Sequence, residues 1–128
     1  MPAQSNGGAD FARCRRLTQA REFEQVIRRH QINLVAGPLR IRARTNTLAY
    51  ARIGIVVPKK GTPTAVRRNR VKRIIREQFR LMAEHLPNLD IVIQVFSDIQ
   101  DEHLKGQLVR LLGKLSTSSD RSVDQQGQ

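Results

Sequence analysis

The sequence predicts an α+β fold in which helices pack on one small sheet, and two periodic patterns support this. Apolar residues alternate with arginines over Leu39 to Thr45, which indicates a half-buried strand with a basic face. Apolar residues recur at helical spacing over about 65 to 84, the strongest helical pattern in the chain. A length of 128 residues allows one modest core. The expected architecture is therefore a two-layer sandwich of sheet and helices.

Each predicted element has its own local signal. Thr18 is a suitable N-cap for a first helix, and Pro58 ends a buried strand that begins at Arg52. A loop containing Gly37 and Pro38 separates the first helix from the first strand. In chain order we predict a helix over 18–29, strands over 39–45 and 52–57, a helix over 65–84, a strand over 89–96 and a helix over 100–115.

The two ends of the chain have the composition of tails. Residues 1–12 and 116–128 are rich in small and polar residues, so we predict disordered tails around a single domain over residues 13–115. The single cysteine, Cys14, excludes an internal disulfide framework. Apolar runs are too short to span a bilayer, and no secretory signal is recognisable at the start. We expect a soluble, cytoplasmic protein that does not bind membranes.

Charge indicates the class of partner. The chain has 23 Lys plus Arg against 11 Asp plus Glu, a net charge of +12. From Ala36 to Arg80 it has thirteen basic residues and one acid, Glu77, so local ion pairs cannot neutralise most of them. Arginine predominates, and its planar guanidinium matches phosphate oxygens two at a time. A polyanion such as RNA is the expected partner.

The 65–84 helix combines a buried face with a basic one. We expect the buried arc to contain Val71, Ile74, Ile75, Gln78 and Met82, with Phe79 and Leu81 at its edges. A second arc carries the polar and cationic residues Asn69, Lys72, Arg73, Arg76 and Arg80. A basic helical face is often only a solvated surface, but the shortage of local acids favours nucleic-acid binding. Phe23, by contrast, is by default a core residue.

These residues resemble a known family. The stretch ARIGIVVPKKGTPTAVRRNRVKRIIREQFR, residues 51 to 80, is similar to the signature of the bacterial ribonuclease P protein, in which a glycine-containing strand and a Lys-Lys loop precede a helix with an RNR segment. A looser similarity extends over about 13–115. The matching residues are Gly54, Lys59, Lys60, Arg68, Asn69, Arg70, Lys72, Arg73 and Arg76.

The resemblance implies a fold and a function. The fold would be a small mixed sheet with a left-handed βαβ crossover, against the general right-handed rule. The function would be removal of the 5′ leader from precursor tRNA by a ribonucleoprotein whose catalyst is RNA with bound Mg²⁺. The protein would bind the catalytic RNA through Arg68, Asn69, Arg70, Lys72, Arg73 and Arg76, and the leader through Phe23, Arg42, Lys59 and Lys60.

In the leader cleft this sequence departs from the family pattern. Many relatives have further aromatic residues where this chain has Ile27 and Arg42. Stacking of leader bases should therefore be weaker here and phosphate contact stronger.

The residues themselves do not form a recognisable catalytic motif. The histidines His30, His85 and His103 are far apart, and carboxylates are sparse in the basic middle of the chain. We expect no catalytic residue and no metal ligand in the protein itself, so that Mg²⁺ is bound mainly by the RNA. The alternatives are a ribosomal or ribosome-associated protein, a DNA-binding regulator and a protein-only nuclease. Two strands before the basic helix argue against a helix-turn-helix, and hence against DNA.

Overall fold

The structure, a computed structural model, describes residues 16–48 and 50–120, and for 117–120 the backbone alone. Cys14 and the tail predicted over 1–12 lie outside the described residues, as do residues 121–128. The helices are α1 (Ala20–Arg29), α2 (Ala65–Met82) and α3 (Asp101–Asp120), with a 3₁₀ turn at Ala83–His85. The strands are β1 (Ile32–Ala36), β2 (Leu39–Thr45), β3 (Arg52–Val56) and β4 (Leu89–Val95).

The four strands form one mixed sheet in the order β1-β2-β4-β3. β2 pairs antiparallel with both β1 and β4, whereas β3 pairs parallel with β4. The chain between the two parallel strands contains α2, so the βαβ crossover implied by the resemblance is present. The α+β class and the mixed sheet are confirmed.

β1 is the one strand that the sequence prediction missed. The segment was predicted as a loop, but it pairs with β2 from Ile32 opposite Ala43 to Ala36 opposite Leu39. The connection turns at Gly37, whose φ of 59° lies in the left-handed region that glycine adopts at little cost. The predicted order therefore lacks one strand at the edge of the sheet.

The main core lies between one face of the sheet and helices α2 and α3. β2 alternates as predicted, with Leu39, Ile41 and Ala43 fully buried and the intervening arginines half-buried. Four leucines of α3 are buried in this core, each contributing on the order of 1.5–3 kcal/mol. They are Leu104, Leu108, Leu111 and Leu112.

The buried stripe of α2 is rotated from the predicted arc. Val71, Ile75 and Phe79 are the buried residues of the helix. Phe79 was expected only at the edge, and Leu81, expected at the other edge, is 57% exposed. The remaining members of the predicted arc, Ile74, Gln78 and Met82, are half-buried. The stripe therefore follows a spacing of four residues along the helix.

Helix α1 packs on the opposite face of the sheet. Val26 and Leu17 are buried there against Val92, with Phe23 and Ile27 partly buried beside them. Because Val92 lies between Ile91 and Ile93 of the main core, its side chain points to the other face. α1 therefore adds a partial third layer to the predicted two-layer sandwich.

Each of the three helices has an end that differs from the prediction. The N-cap of α1 is Gln19 rather than Thr18. Glu22 accepts hydrogen bonds from the backbone N–H groups of both residues, at 3.1 and 2.9 Å, and these bonds hold the first turn one residue later than predicted. α2 ends at Met82, because the chain tightens into the 3₁₀ turn. α3 continues to Asp120, five residues beyond its predicted end and into the predicted tail.

Candidate nucleic-acid interface

Helix α2 presents the polar and cationic arc as a rigid surface. It starts after Pro63, and the Thr64 hydroxyl accepts a hydrogen bond of 3.3 Å from the Arg67 N–H, which caps the first turn. Asn69 and Arg73 are exposed. Lys72 and Arg76, one turn from them, are half-buried at the margin of the packed face. The helix therefore holds these side chains at fixed spacing.

Three of the cations on α2 make neither an ion pair nor a side-chain hydrogen bond in the described part of the chain. Lys72, Arg73 and Arg76 make no ion pair with any residue of 16–48 or 50–120. Burial, and then the positive charge of Arg16, lower the pKa of Arg76. Two guanidinium groups near one another without an intervening acid form a local positive potential that an anion would stabilise. We call Lys72, Arg73 and Arg76 the unpaired cations.

Two arginines in the N-terminal turns of α2 have counter-ions in a distant part of the chain. Arg67 pairs with Asp98 at 2.8 Å and with Asp101 at 2.7 Å. Arg70 pairs with the second oxygen of Asp101 through Nε at 2.6 Å. Hydrogen bonds from Arg67, and then from Arg70, lower the pKa of Asp101. The shortage of acids around α2 in the sequence therefore does not leave Arg70 without a counter-ion, although its two terminal nitrogens make no hydrogen bond to the residues that the structure describes.

The Arg68 side chain is hydrogen-bonded to the loop before α2. Its Nη1 donates to the carbonyl oxygens of Thr62 and Pro63, at 3.0 and 2.7 Å. Lys59 and Lys60, in the same loop, are exposed and unpaired within the described residues. Arg68 is thus paired with carbonyl groups rather than carboxylates, and it fixes the position of the Lys-Lys loop relative to the helix.

A cleft lies between α1 and the edge strand β3. The Phe23 ring lies against Gly54: a Cβ at that position would be 2.5 Å from ring atom Cε2. This close approach explains the glycine, because any side chain would displace the ring. The cleft has a volume of about 230 Å³ and is lined by Arg16, Leu17, Thr18, Phe23, Ile53, Gly54, Ile55, Lys72 and Arg76. Two of the unpaired cations therefore share a cleft with Phe23, although the sequence prediction assigned them to a different RNA.

An ion-pair cluster holds α1 over this cleft. Arg52 donates to both oxygens of Asp90, at 2.9 and 2.8 Å, and to Glu22 of α1 at 3.2 Å. The backbone N–H of Gln19 contributes most to lowering the pKa of Glu22, and Arg52 also lowers it. In the sequence pattern, Arg52 marks only the start of a strand. Its role depends on Asp90, which follows it by 38 residues and lies opposite it only in the parallel pair.

Arg42 lies on the same sheet face as Phe23. Arg42 is opposite Val92, which is opposite Gly54, so two strand spacings, about 10 Å, separate it from the glycine under the Phe23 ring. Its Nη1 donates to Gln94 at 3.2 Å, and its Nε is buried without a hydrogen-bond partner among the described residues. The fold thus brings Phe23 and Arg42 together, while Lys59 and Lys60 lie beyond the end of β3.

Potential metal-ligand side chains are not clustered in the residues that the structure describes. No group of three or more His, Cys, Asp or Glu side chains in 16–48 and 50–120 is arranged as metal ligands. The carboxylates at the N-terminal end of the basic helix, Asp98 and Asp101, are both bonded to arginine. Within the same ranges, none of the helices has the length and hydropathy of a transmembrane segment.

Comparison with known proteins identifies the family. The family model for ribonuclease P matches residues 11–116. The ribonuclease P protein component of Vibrio cholerae serotype O1 is 42% identical over 106 residues, covering 82% of this chain and 87% of that protein. A solved RNase P protein from Thermotoga maritima has a TM-score of 0.63 and 31% identity, covering 76% of this chain and 94% of that one.

A second solved structure supports the fold alone. It is a mutant RNase P protein of Staphylococcus aureus, with a TM-score of 0.74 at 22% identity, covering 86% of this chain and 94% of that one. The family match extends over nearly all of the described residues and includes the basic helix, the Lys-Lys loop and the cleft. This chain belongs to the ribonuclease P protein family, whose role is the removal of 5′ leaders in tRNA processing.

Proposed function

We propose that this chain is the accessory protein of a cytoplasmic ribonucleoprotein in which RNA is the catalyst and precursor tRNA the substrate. As a ribonuclease P protein, it is part of an endoribonuclease complex and has an RNA partner. We further propose that the chemistry occurs in the RNA and that separate surfaces of the protein bind the catalytic RNA and the leader. Mg²⁺ would be bound mainly by the RNA, and the protein would contribute neither a catalytic residue nor a metal ligand.

The observation that supports this proposal most is the set of unpaired cations on α2. Lys72, Arg73 and Arg76 lack carboxylate partners in the described ranges, whereas Arg52, Arg67, Arg70 and Arg80 have them. Acids neutralise several other arginines of this protein, but the three unpaired cations remain available. They are therefore suited to binding phosphate groups. We assign the unpaired cations, with Asn69 and the terminal nitrogens of Arg70, to the catalytic RNA.

We assign the leader to the cleft and the adjoining sheet face. Phe23 offers part of its ring to the cleft, and Arg42 has no carboxylate partner among the described residues. Because Lys72 and Arg76 line the cleft as well, the two RNAs would approach each other there. Arg68 is assigned an indirect role, since its bonds to the Thr62 and Pro63 carbonyls position the Lys59–Lys60 loop.

The electrostatic consequence is a lower requirement for Mg²⁺. Catalytic RNA and precursor tRNA repel one another, and a protein of net charge +12 between them reduces that repulsion. The isolated RNA subunit should remove the leader only at raised Mg²⁺, and adding this protein should restore cleavage near physiological ionic conditions. The measurement is the rate of leader removal across a Mg²⁺ titration, with and without protein. An unchanged titration on adding the protein would contradict the proposal.

A further inference from the structure

The basic face of the sheet continues past the cleft, away from α1. Val35 lies opposite Arg40 in the β1–β2 pair, and Arg40 lies opposite Gln94 in the β2–β4 pair. Side chains alternate along an extended chain, so Phe96, two residues after Gln94, points to the same face. We call Val35, Arg40 and Phe96 the distal platform.

The distal platform presents an aromatic ring to solvent. Phe96 is 47% exposed and Val35 is 57% exposed. The backbone N–H of Phe96 donates to the Pro38 carbonyl at 2.9 Å, so the ring is anchored beside the β1–β2 turn. The guanidinium carbon of Arg40 lies 5.7 Å from the ring centroid, within the range of a cation–π contact. An anchored ring with a cation beside it is suited to stacking on a planar base whose flanking phosphate carries the negative charge.

The charges around the platform favour a phosphate-bearing occupant. Arg40 makes no ion pair within the described ranges, and its buried Nε has no hydrogen-bond partner among those residues. The loop carrying Lys59 and Lys60 approaches the same point, because a Cβ on Gly61 would lie 2.6 Å from the carbonyl carbon of Phe96. Asp90 on this sheet face and Glu22 on α1 lie at the α1 end, and both are bonded to Arg52.

We propose that the distal platform binds one unpaired base of the leader, farther from the cleavage site than the nucleotides in the cleft. Phe96 would stack on the base, and Arg40 with the Lys-Lys loop would bind the flanking phosphates. Base stacking on an aromatic side chain tolerates any base, as a variable leader requires. This inference depends on the proposed function, because it extends the path of the same single strand.

The geometry requires a leader of sufficient length. Phe96 lies four residues along the chain from Val92, the neighbour of Gly54, so about 13 Å of backbone separates it from the strand position beside the Phe23 ring. A leader that fills only the cleft would not reach the platform. The contribution of Phe96 should therefore appear only in longer leaders, whereas that of Arg42 should already be present in short ones.

The test measures holoenzyme affinity for precursor tRNAs with leaders of roughly two and roughly eight nucleotides. Phe96→Leu keeps an apolar side chain but removes the π face. It should weaken binding of the long-leader substrate about tenfold, within the contribution of one stacked base, and leave the short-leader substrate unchanged. Phe96→Tyr should retain the affinity. Arg42→Gln should weaken both substrates.

A second arm tests the stacking itself. Replacing the leader nucleotides beyond the cleft by abasic residues should weaken wild-type binding as much as Phe96→Leu does, and the two changes together should cost no more than either alone. The proposal that the distal platform binds a leader base would be overturned if Phe96→Leu affected both leader lengths equally or affected neither. It would also be overturned if the effects of Phe96→Leu and of the abasic leader were additive. If wild-type holoenzyme did not prefer leader-bearing over mature tRNA, the proposed leader surface itself would be wrong.

Discussion

Replacing the three unpaired cations by glutamine should weaken assembly with the RNA subunit by at least about a hundredfold. The variant is Lys72→Gln with Arg73→Gln and Arg76→Gln, which preserves polar side chains of moderate length on α2. Removing one hydrogen bond between a charged group and a phosphate costs roughly 1.5–3 kcal/mol. The salt dependence should also flatten, by about 0.7 to 0.9 log units of affinity per log unit of salt for each phosphate that is no longer neutralised. The measurement is a binding titration at several salt concentrations.

The control removes the same number of charges from paired positions. Arg28, Arg80 and Lys105 each pair with a carboxylate on the same helix, Glu24, Glu77 and Glu102 respectively. Their replacement by glutamine should change the affinity and the salt slope much less. If both triple variants weakened binding equally, net charge rather than the α2 face would account for assembly.

Two glycine substitutions should change stability in opposite directions. Gly61→Ala places a Cβ against the backbone of Phe96, with the carbonyl oxygen as its nearest atom, and backbone cannot yield as a flexible side chain can. We expect a decrease of about 1–3 kcal/mol in the free energy of unfolding, the usual cost of overpacking. The same change should move the Lys59–Lys60 loop and reduce precursor tRNA binding. Denaturant unfolding and a binding titration measure the two effects.

Gly106→Ala is the matched control. Gly106 lies within α3, and a Cβ there would meet nothing within 4 Å. Alanine is favoured over glycine in a helix by about 1 kcal/mol, so this variant should be more stable than the natural chain. If Gly61→Ala were as stable as Gly106→Ala, the packing of the loop against the chain that follows β4 would be wrong.

The elements with a strong local pattern were predictable from the sequence. α2 follows from its apolar spacing, and the alternation of β2 indicated both its buried and its basic face. β1 was missed because exposed Val35 breaks the alternation of apolar and polar residues in a strand of only five residues. Its position depends on pairing with β2 through the turn at Gly37.

The side-chain pairs that define the interface were less predictable, because they join distant parts of the chain. Asp98 and Asp101 follow Arg67 by more than thirty residues, and the crossover brings the starts of α2 and α3 together. An available signal was the acid at the start of α3, where the helix dipole favours negative charge. Nothing local to Arg68 indicated that its guanidinium would bond to the Thr62 and Pro63 carbonyls.

The most direct test of the central claim is to identify the RNA that lies against the exposed face of α2. A photoreactive amino acid in place of Arg73 would be cross-linked in cells, and the attached RNA sequenced. The same amino acid in place of Lys105 on α3 would serve as the control. We predict one structured, non-ribosomal RNA at position 73, in a complex that removes leaders from precursor tRNA. Cross-links to ribosomal RNA, or equal cross-linking from both positions, would contradict the account.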